Sequence, residues 1–134
     1  MIGGKTKIRV IYADTDQMGV VYYTRYFEFF ERGRTELLRE LGTPYAHMEK
    51  QGIGLPVVEA HCEYKKGPHY DDVVVVKSTI RDVPRSTIQI DYELYDETET
   101  TLLATGHTIH CFINRQGRPV KAPKEFAELI RKYL

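Results

Sequence analysis

The longest helix-period pattern in the sequence lies between residues 26 and 41. Its apolar positions recur at steps of three and four residues, which predicts one amphipathic helix of about five turns. Gly42 and Pro44 follow, and these residue types are typical of a helix end. The stripe consists of Tyr26, Phe27, Phe29, Phe30, Gly33, Leu37, Leu38 and Leu41, with charged side chains opposite.

The rest of the chain changes to a period of two, which is typical of strands. The predicted strands cover residues 5–13, 56–65, 72–82, 88–94 and 102–113, and short helices are predicted at 44–51 and 123–134. The first strand is expected to run straight into an acidic loop. Short turns join the later strands, so the sheet is predicted to be antiparallel. The long helix is the only candidate to cover its apolar face.

Two predicted strands depart from simple alternation. Val73 to Val76 are four consecutive valines, which indicates a strand buried on both faces and is a hint of an oligomer. In the stretch 102–113, apolar residues occur at both odd and even positions, so the sequence does not decide which face of this strand is buried. Gly106 within it predicts a bulge or a close backbone approach.

Length, charge and cysteine content narrow the class of protein. At 134 residues the chain is expected to form one domain, residues 1–134, with a hydrophobic core that is large enough to be stable without disulfide bonds or structural metal ions. Its 19 basic and 19 acidic side chains balance, which argues against nucleic-acid binding. The sequence has no long apolar run and no secretory leader, so a cytoplasmic protein without a membrane span is expected. Cys62 and Cys111 are predicted to be reduced, packed thiols.

The candidate chemistry lies in the loop that precedes the long helix. Asp14-Thr15-Asp16-Gln17-Met18-Gly19 brings two carboxylates close to a helix start, where free N–H groups favour negative charge. From the residues alone, Asp16 is either a reactive carboxylate or an acid satisfied by local N–H groups. Asp14 is assigned to turn stabilisation. Glu28 and Glu31 are rival carboxylates, but Glu28 is expected to be solvated and Glu31 to pair with an arginine such as Arg34 or Arg32.

A longer motif spans this loop and the helix. It consists of the run from Tyr12 to Tyr23, YADTDQMGVVYY, followed by Tyr26, Phe30-Glu31-Arg32 and Arg34-Thr35-Glu36. In this motif, and over nearly the whole chain, the sequence resembles the hot-dog fold acyl-CoA thioesterases of the 4-hydroxybenzoyl-CoA thioesterase and YbgC-like group. The resemblance implies an α+β hot-dog fold, in which an antiparallel sheet wraps a long central helix. It also implies protomers joined edge to edge, with sites at the subunit interface.

The resemblance further implies the roles of particular residues. The second acid of the family's D-x-D motif falls on Asp16, which becomes the catalytic carboxylate. The oxyanion-binding backbone N–H falls on Tyr23, expected at the first turn of the helix. YbgC-like members often carry histidine at this position, whereas hydroxybenzoyl-type members carry tyrosine. Asp16 then acts as a nucleophile or as a general base, and both routes stay open.

A thioesterase of this kind must hold the phosphates of coenzyme A. Arg85-Ser86 is the first choice for this contact, and Lys65 and Lys66 lie at the end of another strand. Arg115 and Arg118 are further alternatives. The expected partners are acyl-CoA and further copies of the chain in a homodimer or homotetramer, and no metal or redox cofactor is implied.

Two other functions are weighed against this hypothesis. A hydratase or dehydratase of acyl thioesters would require a histidine paired with an acid, and no histidine occurs in or beside the motif in the sequence. A non-catalytic acyl-thioester binding module would not need the carboxylate. His107 and His110 lie three apart on a strand and are expected to face opposite ways, so no metal site is predicted. The acyl group itself stays open.

Overall fold

The computed structural model of the protein describes residues 1–43 and 45–134. Pro44, predicted to follow the end of the long helix, lies outside the described residues. The strands are β1 (Ile2–Arg9), β2 (Val57–Tyr64), β3 (Val73–Ile80), β4 (Thr87–Asp96), β5 (Leu102–Ile113) and β6 (Pro119–Val120). The helices are α1 (Arg25–Glu40), α2 (Tyr45–Lys50) and α3 (Lys124–Tyr133). Of these described helices, none has the length and apolar character needed to cross a membrane.

The strands form one antiparallel sheet in the order β1-β3-β4-β5-β2, and the short β6 pairs with the end of β5. The helix α1 packs across this sheet, chiefly against β1 and β3. The arrangement is the predicted one, an antiparallel sheet around a long central helix. The hot-dog fold is therefore confirmed at the level of topology.

The helix α1 buries the stripe that its periodicity predicts. Its buried residues are Tyr26, Phe29, Phe30, Gly33, Leu37 and Leu38. At 16 residues it is slightly shorter than the predicted five turns. Its last turn is closed by the N–H groups of Gly42 and Thr43, which donate to the carbonyls of Arg39 and Leu38 at 3.0 and 3.1 Å. The predicted helix end at Gly42 is confirmed.

The helix approaches the sheet most closely at Gly33. A Cβ atom at this position would lie 2.6 Å from Val76 Cγ1 and 2.7 Å from Ser78 Oγ, both on β3. These distances are shorter than packed side chains tolerate, so α1 rests on β3 only because the residue has no side chain. The interruption of the apolar stripe by a glycine is thus a packing requirement.

A second close approach lies at Gly106 on β5. A Cβ atom there would meet the Phe30 ring at 2.6 Å and the His61 carbonyl oxygen at 2.5 Å. The Phe30 ring, which covers this glycine, also stacks on Tyr92 with ring centroids 4.5 Å apart. The close backbone approach predicted at Gly106 is confirmed, and the inner face of β5 carries the even-numbered residues around it.

The strand β1 differs from its prediction, because it ends at Arg9 instead of running on to Ala13. Tyr12–Asp14 forms a 3-10 turn in place of the last strand residues. The Asp14 carboxylate accepts a hydrogen bond from the Ile11 N–H at 3.0 Å, which stabilises this turn. As a result Tyr12, which alternation would place inside, is 78% exposed.

The four-valine strand is buried on both faces, as predicted, but within a single chain. Val74, Val75 and Val76 are at most 1% exposed. On the face away from α1, Val75 pairs across the strands with Lys7 and Tyr95. These long side chains cover the valine. The valines therefore do not by themselves require a second copy of the chain.

The strand β2 is the exposed strand of the sheet. It pairs only with β5, and Val57, Val58 and Tyr64 are 47%, 58% and 44% exposed. The strand thus lies where the sequence predicts it, but the expected half-burial is not found in one chain, because most of its inner face lacks cover. Cys62 is half-buried on that inner face, and both it and Cys111 are free thiols, as predicted.

The close contact at Gly33 generates a test of the packing. We expect Gly33→Ala to lower the free energy of unfolding by about 1–3 kcal/mol, because overpacking at β3 outweighs the higher helix propensity of alanine. Gly3→Ala is the control, since a Cβ there lies 3.5 Å from its nearest neighbour. Urea denaturation measures both variants, and an equally stable Gly33→Ala protein would contradict this packing.

Candidate active site

The acidic loop folds into a tight hairpin between the 3-10 turn and α1. Thr15 and Val21 form an isolated antiparallel bridge, and the Asp16 N–H donates to the Val20 carbonyl at 2.9 Å. Gly19 has a φ of +83°, a conformation that side chains rarely adopt, and its N–H donates to the Asp16 carbonyl at 3.1 Å. The backbone of this loop is therefore fixed around Asp16.

The Asp16 carboxylate is only partly used by this hairpin. Its Oδ1 accepts the Met18 N–H at 2.8 Å, an Asx-type turn. Its Oδ2 accepts no hydrogen bond from a residue that the structure describes. The side chain is half-buried, so it is neither a core acid nor fully solvated. Hydrogen bonding to nearby backbone N–H groups, which is expected of an aspartate that only stabilises a turn, thus accounts for one of its two oxygens.

Asp14, two residues earlier, holds the turn through both its side chain and its main chain. Its carboxylate accepts the Ile11 N–H, and its carbonyl accepts the Tyr22 N–H at 2.8 Å. The predicted turn-stabilising role of Asp14 is confirmed. Asp14 also fixes the residue that directly precedes the expected oxyanion donor.

Tyr23 does not lie in the first turn of α1, as the sequence predicted, because the helix starts at Arg25. It lies in a β-turn closed by the Arg25 N–H, which donates to the Tyr22 carbonyl at 2.9 Å. Thr24 has helical dihedral angles (φ −71°, ψ −22°), so the turn leads directly into the helix. Tyr23 therefore lies two residues before the helix, in the turn that leads into it.

The orientation of the Tyr23 N–H follows from peptide planarity. The Tyr22 carbonyl and the Tyr23 N–H belong to one trans peptide unit and point in opposite directions. Because the carbonyl points at the Arg25 N–H, the Tyr23 N–H points away from the helix. Within the described part of the chain, this N–H has no hydrogen-bond acceptor. It is an oriented and uncommitted donor.

Tyrosines surround this turn and Asp16. Burial raises the pKa of Tyr26 to about 12, and the Cys62 thiol and Asp16 carboxylate add to the rise. The Tyr23 phenol beside it raises the pKa of Tyr22, and burial and the Asp16 charge contribute further. The Tyr64 hydroxyl donates to the Tyr23 carbonyl at 3.0 Å, a contact that the sequence did not reveal. Asp16 thus lies among phenols that remain protonated.

Comparisons with known proteins identify the family of the chain. The model of the thioesterase-like superfamily matches residues 10–130. The chain belongs to this superfamily. It is 38% identical to a putative acyl-CoA thioesterase, YneP, of Bacillus subtilis over 92% of this chain and 90% of that protein. It is 36% identical to the acyl-CoA thioesterase YbgC of Haemophilus influenzae over 88% of this chain and 87% of that protein.

A solved structure confirms the fold of this thioesterase-family chain. The DHNA-CoA thioesterase of Staphylococcus aureus superimposes with a TM-score of 0.93 at 34% identity, over 99% of this chain and 91% of that one. The resemblance to hot-dog fold acyl-CoA thioesterases and the α+β fold class are both confirmed.

The basic residues expected to hold coenzyme A lie at opposite ends of the sheet of this thioesterase-family chain. Lys65 and Lys66 directly follow Tyr64, and their N–H groups donate to the Leu103 carbonyl at 2.9 and 3.1 Å. Arg85-Ser86 precedes β4, whose ten residues run about 33 Å to the end near Asp16. Within one chain, only the lysines are brought to the Asp16 end of the sheet.

Arg115 and a cavity beside α1 both lie away from the Asp16 loop. Arg115 donates to the Lys50 carbonyl at 3.1 Å and packs against Gly52, which gives it a structural contact. A cavity of about 250 Å³ lies beside the second half of α1 and includes Arg34, roughly 14 Å along the helix from Arg25. Its other lining residues include Leu38, Leu55, Ile88, His110 and Phe126. In a single chain this cavity is separate from Asp16.

His107 and His110 lie on opposite faces of β5, as predicted, and a third histidine lies beside the acidic loop. His107 bonds Glu59 at 2.6 Å on the outer face, whereas His110 is buried and bonds the Leu55 carbonyl at 3.0 Å. Burial lowers the pKa of His110, which fits a neutral imidazole that donates through Nδ1. His69 forms a backbone bridge with Val20 beside the acidic loop, a proximity the sequence argument missed. Among the described residues, no group of three or more metal-ligating side chains is found.

Proposed function

We propose that the chain hydrolyses acyl-CoA with Asp16 as the catalytic carboxylate and the Tyr23 backbone N–H as the oxyanion donor. Acyl-CoA thioester hydrolysis is the activity that the family and its relatives support. The residue roles rest on one observation: the hairpin with the half-used Asp16 carboxylate leads directly into the turn that carries an oriented, uncommitted N–H at the start of α1. Location in the cytoplasm remains a prediction from the sequence.

The proposed donor acts on the carbonyl oxygen of the thioester. Attack on the carbonyl carbon places negative charge on this oxygen, and a preorganised N–H stabilises it in the transition state. Removal of one such donor typically lowers turnover by about 10²–10³. The turn Tyr22–Arg25 fixes the donor before the substrate arrives, so little reorganisation is needed during the reaction.

Asp16 is able to supply the attacking oxygen in two ways. As a nucleophile, its Oδ2 bonds to the carbonyl carbon, the CoA thiolate leaves, and water then opens the anhydride. As a general base, it takes a proton from a water that attacks the same carbon while the C–S bond breaks. Both routes give a carboxylic acid and the CoA thiol. Both also require the ionised carboxylate.

Asp16→Asn tests the acid. The asparagine oxygen keeps the hydrogen bond from Met18, so the loop is expected to stay folded, but the amide neither attacks as an anion nor takes a proton. We expect thiol release from acyl-CoA to fall by at least about 10²-fold. Asp14→Asn is the matched control and should cost less, because Asp14 acts on the turn. Turnover of Asp16→Asn within about threefold of the parent would exclude this role.

We also propose that two copies join through β2, in a dimer or a dimer of dimers. Val57 and Val58 are exposed on this edge, and Ala60 is exposed between them and Tyr64. The opposite edge strand, β1, carries Lys5, Lys7 and Arg9, which discourage pairing. A second β2 would cover apolar surface and join the two sheets. It would also place the partner close to Tyr64 and the Asp16 loop.

The edge is tested with Val58→Lys/Ala60→Lys. Charge on this edge is expected to shift the protein toward a less active monomer, which light scattering at assay concentration measures. Thr6→Lys on β1 is the control and should leave the mass unchanged. A parent protein that is a fully active monomer would contradict the proposed assembly.

The placement of the bases generates a test of coenzyme A binding across subunits. We propose that Lys65 and Lys66 serve the site of their own chain, and that Arg85 with Ser86 serves the site of another copy. Arg85→Ala is expected to raise KM for acyl-CoA and to leave a truncated pantetheine thioester almost unchanged. A remote phosphate contact contributes equally to ground state and transition state, so kcat should change little.

Mixed oligomers separate the two arrangements for Arg85. When Asp16→Asn and Arg85→Ala subunits are combined, a heterodimer has one site with both residues intact only if Arg85 acts across the interface. Activity with the parent KM is then expected from the mixture. If KM stays at the Arg85→Ala value, Arg85 acts within its own chain or outside the coenzyme A site, and Lys65→Ala and Lys66→Ala become the informative variants.

A further inference from the structure

We infer that Tyr64 is a positioning residue, which holds the turn carrying the Tyr23 N–H in the orientation that the reaction needs. This inference rests on the proposed oxyanion role of Tyr23. Tyr64 is the last residue of β2, and its hydroxyl donates to the Tyr23 carbonyl across the joint between sheet and helix at 3.0 Å.

Two peptide units meet at the Cα of Tyr23, and each is held by one hydrogen bond. The unit before it carries the oxyanion N–H and is held by the Arg25 N–H on the Tyr22 carbonyl. The unit after it is held by the Tyr64 hydroxyl on the Tyr23 carbonyl. Without the second bond, the dihedral angles of Tyr23 are restrained from one side only. The direction of its N–H would then become less well defined.

The Tyr64 ring is itself fixed in place. It packs edge-on against Tyr26 with centroids 4.7 Å apart, and against Tyr23 at 6.4 Å. Tyr26 is buried in α1, so the ring rests on the rigid part of the fold. Burial raises the pKa of Tyr64 to about 12, so its hydroxyl stays protonated and remains a donor throughout the neutral range. The contact therefore transmits the position of β2 to the catalytic turn.

Tyr64→Phe tests this inference, because it removes the hydroxyl and keeps the ring. We expect kcat to fall roughly fivefold to tenfold, the usual contribution of one hydrogen bond, with KM within about twofold. Tyr95→Phe is the matched control. Its hydroxyl bonds Glu93 at 3.2 Å on the outer face of the sheet, and it should leave both constants unchanged.

Tyr64→Leu and a melting curve separate positioning from folding. Tyr64→Leu removes the ring as well, and it should lower kcat further while circular dichroism shows the parent fold. If Tyr64→Phe keeps the parent kcat while Tyr64→Leu loses it, only packing matters and the inference is overturned. A raised KM with unchanged kcat for Tyr64→Phe would overturn it too, because the residue would then be a wall of the binding site.

Asp16→Asn, assayed alongside, distinguishes failure of the inference from failure of the proposed function. If Asp16→Asn is inactive and Tyr64→Phe is unaffected, the catalytic assignment stands and the positioning role falls. If Asp16→Asn remains active, the proposed function falls, and the inference falls with it.

Discussion

The close approach of α1 to the sheet determines how the rest of the structure is placed. Gly33 leaves no room for a Cβ atom between α1 and β3, and Phe30 lies on the bare backbone of Gly106. These two contacts fix the height and the axial position of the helix over the sheet. Because the acidic loop and the Tyr23 turn lead directly into α1, their position relative to the sheet is set by the same contacts.

The site is thus built from groups that belong to different layers of the fold. Asp16 comes from a hairpin that is anchored to the loop after β2 by the Val21 N–H on the Pro68 carbonyl at 2.9 Å. The Tyr23 N–H comes from the start of α1, and Tyr64 comes from the edge of the sheet. Each is held by backbone hydrogen bonds or by packed rings, so the geometry is preorganised in the free chain. The strand that presents Tyr64 is also the one proposed to pair with a second copy, which would link assembly to the turn that carries the Tyr23 N–H.

The parts of the fold that could be predicted from the sequence are mainly those in which apolar residues repeat at a regular spacing. The stripe from Tyr26 to Leu38 gave the helix and its buried face, because burial against one sheet enforces a period near 3.6. The turn role of Asp14 followed from residue type. The early end of β1 could not be predicted in this way. The Ile11–Asp14 hydrogen bond ends the strand, although the alternation of apolar and polar residues continues in the sequence through Tyr12. The burial of Val75 by Lys7 and Tyr95 was also hidden, because it depends on strand order.

The contacts that make the site were the least predictable part. The distance in sequence between Tyr64 and Tyr23, and between His69 and Val20, is bridged only by the folded sheet. The separation of Arg85 from Lys65 and Lys66 likewise follows from the antiparallel order of the strands. Candidates of the right chemical type can be read from the sequence, whereas the strand order decides which of them lie close together.

The role of the Tyr23 N–H is tested most directly by nuclear magnetic resonance of its amide. The ligand is an acyl-CoA analogue in which CH₂ replaces the thioester sulfur, so that the carbonyl is kept and cannot be hydrolysed. At saturation, the account predicts a downfield shift of the Tyr23 amide proton and slower exchange with solvent, as expected for a new hydrogen bond to the ligand carbonyl. A Tyr23 amide that stays unshifted while other amides report bound analogue would contradict it.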